Sequence, residues 1–183
     1  LVLVGDRDQL ASVGAGNVLS DLIHCGHFPV IELTHIYRQS EDSKIVTNAH
    51  RINRGEMPDL DNRSRDFFFE EKEDPEAIAR TAVELVTRRL PEYLSADPLD
   101  IQLLCPMKRG SAGTIALNRA LQARLNPPSP GKRELRQGDT LFRTGDKVMQ
   151  TRNDYRREWV QTGGGTVEHG TGVFNGDIGI VED

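Results

Sequence analysis

The sequence has few cysteines, few aromatic residues and no long apolar run. Its 183 residues include 2 cysteines and 1 tryptophan. Cys25 and Cys105 lie far apart, with no CxxC pair and no ligand spacing to a histidine, so we predict no metal site and free thiols in a cytoplasmic protein. No apolar stretch approaches the roughly 18 residues that a membrane-spanning helix needs, which argues against a membrane partner.

The sequence also lacks a G-x-x-x-x-G-K-[ST] loop, the glycine-rich turn that surrounds nucleotide phosphates. Its only Gly-Lys pair, Gly131-Lys132, is followed by Arg133 after a proline-rich stretch. We therefore expect no nucleotide hydrolysis by this chain alone.

Charge is distributed unevenly along the chain. The formal net charge is −5, which argues against indiscriminate binding to nucleic acid. Residues 1–100 carry 11 Lys or Arg and 19 Asp or Glu, whereas residues 101–160 carry 12 and 5. A basic stretch in an acidic chain is typical of a local contact with a polyanion. The alternative is a solvated basic face without a ligand.

Apolar runs alternate with helical patterns up to the proline-rich segment 126–131. The runs at 1–4, 30–33, 67–69 and 101–104 predict strands, and helices are predicted near 17–25, 40–54, 75–90 and 111–125. This order is typical of βαβ units on a parallel sheet, an α/β fold. After residue 132, short β-like runs predict a small β-barrel piece with a hairpin turn at Asn175-Gly176 and a mobile glycine-rich stretch over 163–172.

Several sequence motifs resemble those of one enzyme family. The segment GDRDQLASVGAGNVLSDLI follows the first apolar run and closely resembles motif III of superfamily 1 helicases, in particular the RecD-like branch. Further segments resemble this family in the expected order: Ile36-Tyr37-Arg38-Gln39, then NAHRINRG at 48–55, CPMKRG at 105–110, GDKVMQ at 145–150 and FNGDIG at 174–179.

The resemblance implies a P-loop NTPase-like, RecA-like architecture in three parts. Residues 1–33 would end a first RecA-like motor lobe, residues 34–132 would form a second lobe, and residues 133–183 would form part of an SH3-like β-barrel insertion. The parent would be an ATP-dependent 5′–3′ DNA helicase of recombination and repair that uses ATP and Mg²⁺. Its partners would be single-stranded DNA and other subunits of a helicase–nuclease complex.

Two motifs of such a motor are not seen, the phosphate-binding loop and the Asp-Glu pair that should precede motif III. We therefore expect an internal fragment that neither binds nucleotide tightly nor hydrolyses ATP by itself. The alternative is a non-catalytic module, derived from a P-loop NTPase, that binds single-stranded DNA or a partner protein.

The resemblance implies nucleotide-facing roles for five residues. The amide of Gln9 can accept from water and donate to a phosphate oxygen, so Gln9 would sense the terminal phosphate and Asp6 would support it. The alternative for Gln9 is a loop amide bonded to nearby backbone, and the alternative for Asp6 is a helix or loop cap. The planar guanidinium of Arg38 would act as an arginine finger, the alternative being a structural ion pair. Tyr37 would stack on adenine or be a strand-end aromatic, and Gln39 would bond across the cleft or cap a helix.

Two groups of residues are candidates for DNA contact. The first follows the apolar run at 101–104, where basic side chains and backbone amides at a helix start could hold phosphates without reading sequence. Its members are Lys108, Arg109, Ser111, Gly113 and Thr114. The second group, in the β-rich segment, is Lys147, Gln150, Arg152 and Asn153. The alternative for both is a solvated polar loop, and Arg156 and Arg157 are interpreted as ordinary surface charge.

Overall fold

The computed structural model describes residues 1–9, 14–33, 43–163 and 166–182. The chain divides into two compact units, Leu1–Glu71 and Lys72–Asp183. Three residues with predicted roles, Tyr37, Arg38 and Gln39, lie outside the described residues.

The described residues of the first unit form two helices, α1 (Val18–His24) and α2 (Lys44–Asn53). The side chain of Ser43 caps α2 by accepting from the amide of Val46. The helix stops before Gly55, whose φ of +73° suits glycine and few other residues.

Asn48 fixes the loop that follows α2. Its side chain is only 1% exposed, and it bonds both backbone groups of Asp59, donating to the carbonyl oxygen at 2.9 Å and accepting from the amide at 2.7 Å. Asn62 bonds the backbone of Phe69 in the same two-way manner. The side chains of Asn62 and Ser64 bond the backbone of residues 67–69, which form no strand, contrary to our expectation.

The helices of the second unit are α3 (Pro75–Glu84), α4 (Leu90–Leu94) and α5 (Thr114–Leu125), and a π-helical turn, Leu85–Arg89, joins α3 to α4. A 3-10 turn, Pro98–Asp100, precedes α5. The carboxylate of Asp74 accepts from the amides of Glu76 and Ala77, and Pro75 occupies the first turn. The helices predicted near 17–25, 40–54, 75–90 and 111–125 are confirmed with shifted ends, and residues 40–42 lie outside the described residues.

The strands of the described residues form three separate two-stranded antiparallel sheets. They are β1 (Glu134–Gln137) with β2 (Thr140–Arg143), β3 (Lys147–Met149) with β6 (Ile178–Ile180), and β4 (Asp154–Gly163) with β5 (Thr166–Val173). Within this part of the chain the sheets close no barrel.

The predicted parallel sheet does not form among the described residues. The apolar runs 1–4, 30–33 and 101–104 contain no strand, and the side chains of Leu3, Ile31 and Leu104 are exposed. An apolar run shows that a segment could be a buried strand, but a strand forms only when a neighbour pairs with its backbone. The prediction of an α/β chain holds only in the coarse sense that helices precede small sheets.

Two predictions for the β-rich segment are corrected. Asn175 and Gly176 do form a turn, with Gly176 at φ +99°, but it connects β5 to β6, which belong to different sheets, rather than two paired strands. Of the stretch 163–172, expected to be mobile, residues 166–172 belong to strand β5 in the longest ladder of the described residues, and residues 164–165 lie outside the described residues.

A cluster of polar side chains attaches the end of α5 to the β-rich segment. Asp146 accepts from Gln122 Nε2 at 2.6 Å, Asn126 Nδ2 at 2.7 Å and the Arg143 amide at 2.7 Å. Arg143 is 6% exposed, pairs with Glu134 at 2.7 Å and donates to the Asn126 carbonyl oxygen at 2.6 Å. These residues, the Asp146 cluster, satisfy one another's hydrogen bonds in the second unit.

Candidate nucleotide and nucleic-acid sites

Asp6 and Gln9 are brought together by a tight turn. One carboxylate oxygen of Asp6 accepts from the Asp8 amide at 3.0 Å, and the other accepts from Gln9 Nε2 at 3.1 Å. Asp6 is thus a turn cap that also positions the Gln9 amide. The bond uses one of the two Nε2 hydrogens, so this exposed amide can still accept from water and donate to a phosphate oxygen.

Arg7 ties this turn to a more distant residue. Its guanidinium lies 2.6 Å from a carboxylate oxygen of Glu32 and 3.8 Å from one of Asp8. Carboxylates outnumber cations here, so the turn would repel a bare phosphate and tolerate one that carries Mg²⁺. The described residues offer no loop that encloses phosphates, so by themselves they do not fit a complete ATP–Mg²⁺ site.

The loop formed by residues 107–114, here the Lys108 loop, leads into α5. The amide of Thr114 donates to the Met107 carbonyl oxygen at 3.0 Å, and that of Gly113 donates to the Gly110 carbonyl oxygen at 3.1 Å. A Cβ at position 113 would lie 2.4 Å from the Arg109 carbonyl oxygen, so the close turn requires glycine there.

These bonds revise the predicted phosphate contact. Gly113 is buried, and the amides of Gly113 and Thr114 are already bonded within the loop, so in this structure they are not offered to a ligand. The side chains of Lys108, Arg109 and Ser111 are exposed. A strand held here would therefore be bound by these side chains and not by the amides of Gly113 and Thr114.

The second group of DNA candidates also contains residues that bond within the chain and others that are exposed. Lys147 is half-buried and its Nζ donates to the Leu99 carbonyl oxygen, so it ties β3 to the 3-10 turn rather than facing a ligand. Arg152 and Asn153 are exposed. The Asn153 side chain accepts from the Asn175 amide at 2.8 Å and donates to the Tyr155 hydroxyl at 3.0 Å, an arrangement that sequence reasoning missed.

Three acidic side chains surround the start of α2. Lys44 pairs with Asp59 at 3.0 Å and with Asp61, while Asp66 accepts from the Ser43 hydroxyl at 2.6 Å and the Ile45 amide at 3.3 Å. The hydrogen bond from Ser43 is the main cause that lowers the pKa of Asp66, and that from Lys44 lowers the pKa of Asp61. The bond to Asp61 raises the pKa of Lys44.

We expect acid to loosen the loop that follows α2. Because the pKa of Asp66 is lower in the folded state, its stabilisation is complete above the ordinary value of about 4 and is lost as pH falls through the folded value. Hydrogen exchange of α2 should therefore differ between wild type and Asp66→Asn near pH 6, and the difference should shrink below about pH 4. A difference that is constant with pH would contradict this assignment.

Groups of three or more His, Cys, Asp or Glu side chains arranged to hold a metal do not occur in the described ranges. Among the helices of the same ranges, none combines the length and apolar character needed to cross a bilayer.

Family models and relatives match both parts of the chain. Residues 1–73 match the AAA domain model, and residues 117–183 match the model described as the ATP-dependent RecD-like DNA helicase SH3 domain. The chain is 35% identical over 181 residues to the ATP-dependent RecD2 DNA helicase of Deinococcus radiodurans, an alignment that covers 99% of this chain and 21% of that protein. The chain is related to the RecD-like helicases.

Two other relatives are named as the RecD subunit of the RecBCD enzyme. The RecBCD enzyme subunit RecD of Mycolicibacterium smegmatis is 28% identical over 194 residues, and that of Mycobacterium tuberculosis is 29% identical over 200 residues. Each alignment covers 99% of this chain and 31% of the relative. The chain therefore spans less than a third of the length of these curated RecD relatives.

The Asp146 cluster gives a physical reason for where the RecD-like SH3 match begins. The match starts at residue 117, inside α5, well before the proline-rich segment. Gln122 and Asn126 of α5 bond the β-rich segment directly. The end of α5 thus packs with the sheets that follow it.

Proposed function

We propose that this chain is part of an ATP-dependent 5′–3′ DNA helicase of the RecD-like type that acts in recombination and repair. The observation that carries the proposal is the similarity of 99% of the chain to a RecD2 helicase. The AAA match over residues 1–73 precedes the RecD-like SH3 match over residues 117–183.

The nucleotide side of the proposed motor uses the Asp6–Gln9 turn. The Asp6 carboxylate accepts from the Gln9 amide and keeps it near the turn, and because the amide is neutral it can respond to a phosphate without being locked to it by charge. Gln9 then reports whether a terminal phosphate is present. Arg38 acts as the arginine finger, with Tyr37 and Gln39 beside the nucleotide, and the remainder of the parent supplies the phosphate-binding loop, ATP and Mg²⁺.

The DNA side uses exposed side chains of the second unit. Lys108, Arg109 and Ser111 project from the Lys108 loop, and Arg152 is exposed in the β-rich segment. Contacts of this type hold the sugar–phosphate backbone of a single strand irrespective of its sequence, as a translocating motor requires.

A polarity assay tests this proposal. The intact protein should unwind a duplex with a 5′ single-stranded tail in the presence of ATP and Mg²⁺, and should leave a 3′-tailed duplex of the same sequence paired. A nucleotide analogue that cannot be hydrolysed serves as the control. Binding of the tail without ATP-dependent unwinding would favour the non-catalytic module. The assay is repeated with added partner subunits, because some relatives are named as subunits of the RecBCD enzyme.

A further inference from the structure

The strands β4 and β5 form a ribbon with an irregular end. Asp154 pairs with Val173 and Glu158 pairs with Thr171, so three residues of β4 lie opposite the single residue Gly172. Such a bulge bends a strand and redirects its side chains, and bulges are frequent next to binding sites. The residues displaced are Tyr155, Arg156 and Arg157.

Two glycines shape this end of the ribbon around aromatic rings. A Cβ at Gly170 would lie 2.1 Å from the indole of Trp159, which donates from Nε1 to the Gly172 carbonyl oxygen at 3.0 Å. A Cβ at Gly172, where φ is +96°, would lie 2.9 Å from the ring of Phe174. The ribbon therefore seats two rings where ordinary side chains would collide with them.

Tyr155 and Phe174 meet edge to face with ring centroids 5.8 Å apart. Tyr155 is nevertheless 69% exposed and Phe174 is 45% exposed. The hydroxyl of Tyr155 accepts from Asn153, whose own oxygen holds the Asn175 amide. Side-chain hydrogen bonds thus fix the orientation of a large aromatic surface that faces solvent. Ordering these side chains costs conformational entropy, and the apolar surface of the rings is not buried in return.

Three arginines lie close to Tyr155 in sequence. Arg152 precedes the bulge, and Arg156 is exposed within it. Arg157 pairs with Asp154 at 3.7 Å. Exposed rings beside unburied guanidinium groups are the combination that binds single strands, because bases stack on the rings while arginines meet the phosphates.

We propose that the bulged end of the β4–β5 ribbon is a base-stacking platform for single-stranded DNA. A base stacks on Tyr155, which Phe174 and Asn153 hold in place, and Arg152 and Arg156 neutralise the adjacent phosphates. The proposal rests on the proposed function, because it places an additional contact on the strand that the motor would hold.

The test measures binding of the intact protein to labelled oligothymidine by fluorescence anisotropy. Tyr155→Ala should weaken binding roughly 5-fold to 100-fold, whereas Tyr155→Phe, which keeps the ring, should bind nearly as well as wild type. Neither change should alter affinity for an abasic strand with the same phosphates. Tyr93→Ala, at an exposed tyrosine of α4, is the matched control and should bind as wild type does.

A charge substitution gives a second measurement that does not depend on the ring. Arg156→Gln should reduce the slope of log affinity against log salt by about 0.7, the value for one single-strand phosphate contact. Arg80→Gln on α3 removes the same charge from an exposed position and should leave the slope unchanged.

The outcomes separate the platform from the motor. If Tyr155→Ala and Arg156→Gln bind as wild type does while Lys108→Ala binds more weakly, the platform is refuted and the proposed function stands. If the wild-type protein binds no single-stranded DNA, both proposals fail. Equal losses on oligothymidine and on the abasic strand would also refute stacking.

Discussion

Replacing Arg38 by alanine in the intact protein should lower the rate of DNA-stimulated ATP turnover by about 10³-fold or more. The affinity for ATP should stay within about threefold of wild type, because an arginine finger acts on charge that develops in the transition state rather than in the ground state. Steady-state turnover and equilibrium nucleotide binding, measured on the same preparation, provide the check.

Two further variants sharpen this result. Arg38→Lys keeps the charge but loses the planar fork, so it should recover only a small part of the turnover. Arg54→Ala removes an arginine that pairs with Glu56 at 2.9 Å just beyond α2, and its turnover should match wild type. Wild-type turnover in Arg38→Ala would leave the structural ion pair as the role of Arg38.

The helices were predictable because their signals are local. Asp74 and Pro75 at the start of α3 are adjacent in sequence to the amides that need a cap, and Gly55 follows the end of α2 directly. In such cases a few neighbouring residues decide the backbone conformation. The hydrogen bonds of the Asp6–Gln9 turn are local in the same sense, since they span no more than three residues.

The sheets were predicted less well because pairing depends on distant residues. The apolar runs of the first unit have the composition of buried strands, but composition does not say which backbone will pair with them. In the β-rich segment, Gly170 and Gly172 suggested a mobile stretch. The structure shows that each makes room for an aromatic ring, Trp159 and Phe174. The contact between the Trp159 indole and Gly170 produces no periodic pattern of apolar residues, so sequence reasoning does not detect it.

Lys147 and Gly113 illustrate a limit on predicting the site. A lysine and a glycine-rich turn are ordinary components of a phosphate site, and sequence alone assigns both to DNA. In the structure Lys147 donates to Leu99, and Gly113 bonds Gly110. The residue type therefore identifies the chemistry that is available, whereas the fold decides whether a ligand or the chain itself uses it.

The second large effect is expected at Asp146, which should be essential for joining α5 to the β-rich segment. Asp146→Ala removes the acceptor of three donors, the side-chain amides of Gln122 and Asn126 and the backbone amide of Arg143. An unsatisfied buried donor costs about 1–3 kcal/mol, and Asn126 and Arg143 are buried, so the local opening free energy should fall by about 2 kcal/mol or more.

Hydrogen exchange measured by mass spectrometry on the intact protein can localise this loss. Protection should fall in peptides that cover the end of α5 and β2, while peptides that cover α3 keep theirs. Asp146→Asn retains one acceptor oxygen in place of two and should fall between alanine and wild type. Asp139→Ala, at an exposed aspartate between β1 and β2, should change the opening free energy by less than about 0.5 kcal/mol.

The pattern of loss distinguishes a structural joint from a general weakening of the unit. If Asp146→Ala raises exchange equally in α3 and at the end of α5, the cluster is only one contributor to a uniformly cooperative unit. If exchange rises only where Gln122, Asn126 and Arg143 lie, the cluster fixes the SH3-type segment to the helix whose other end carries the Lys108 loop. Because that joint would set the spacing between the two proposed DNA contacts, Asp146→Ala should then also lower oligothymidine affinity more than Asp139→Ala does. Unchanged exchange in Asp146→Ala would contradict the bonding role assigned to this carboxylate.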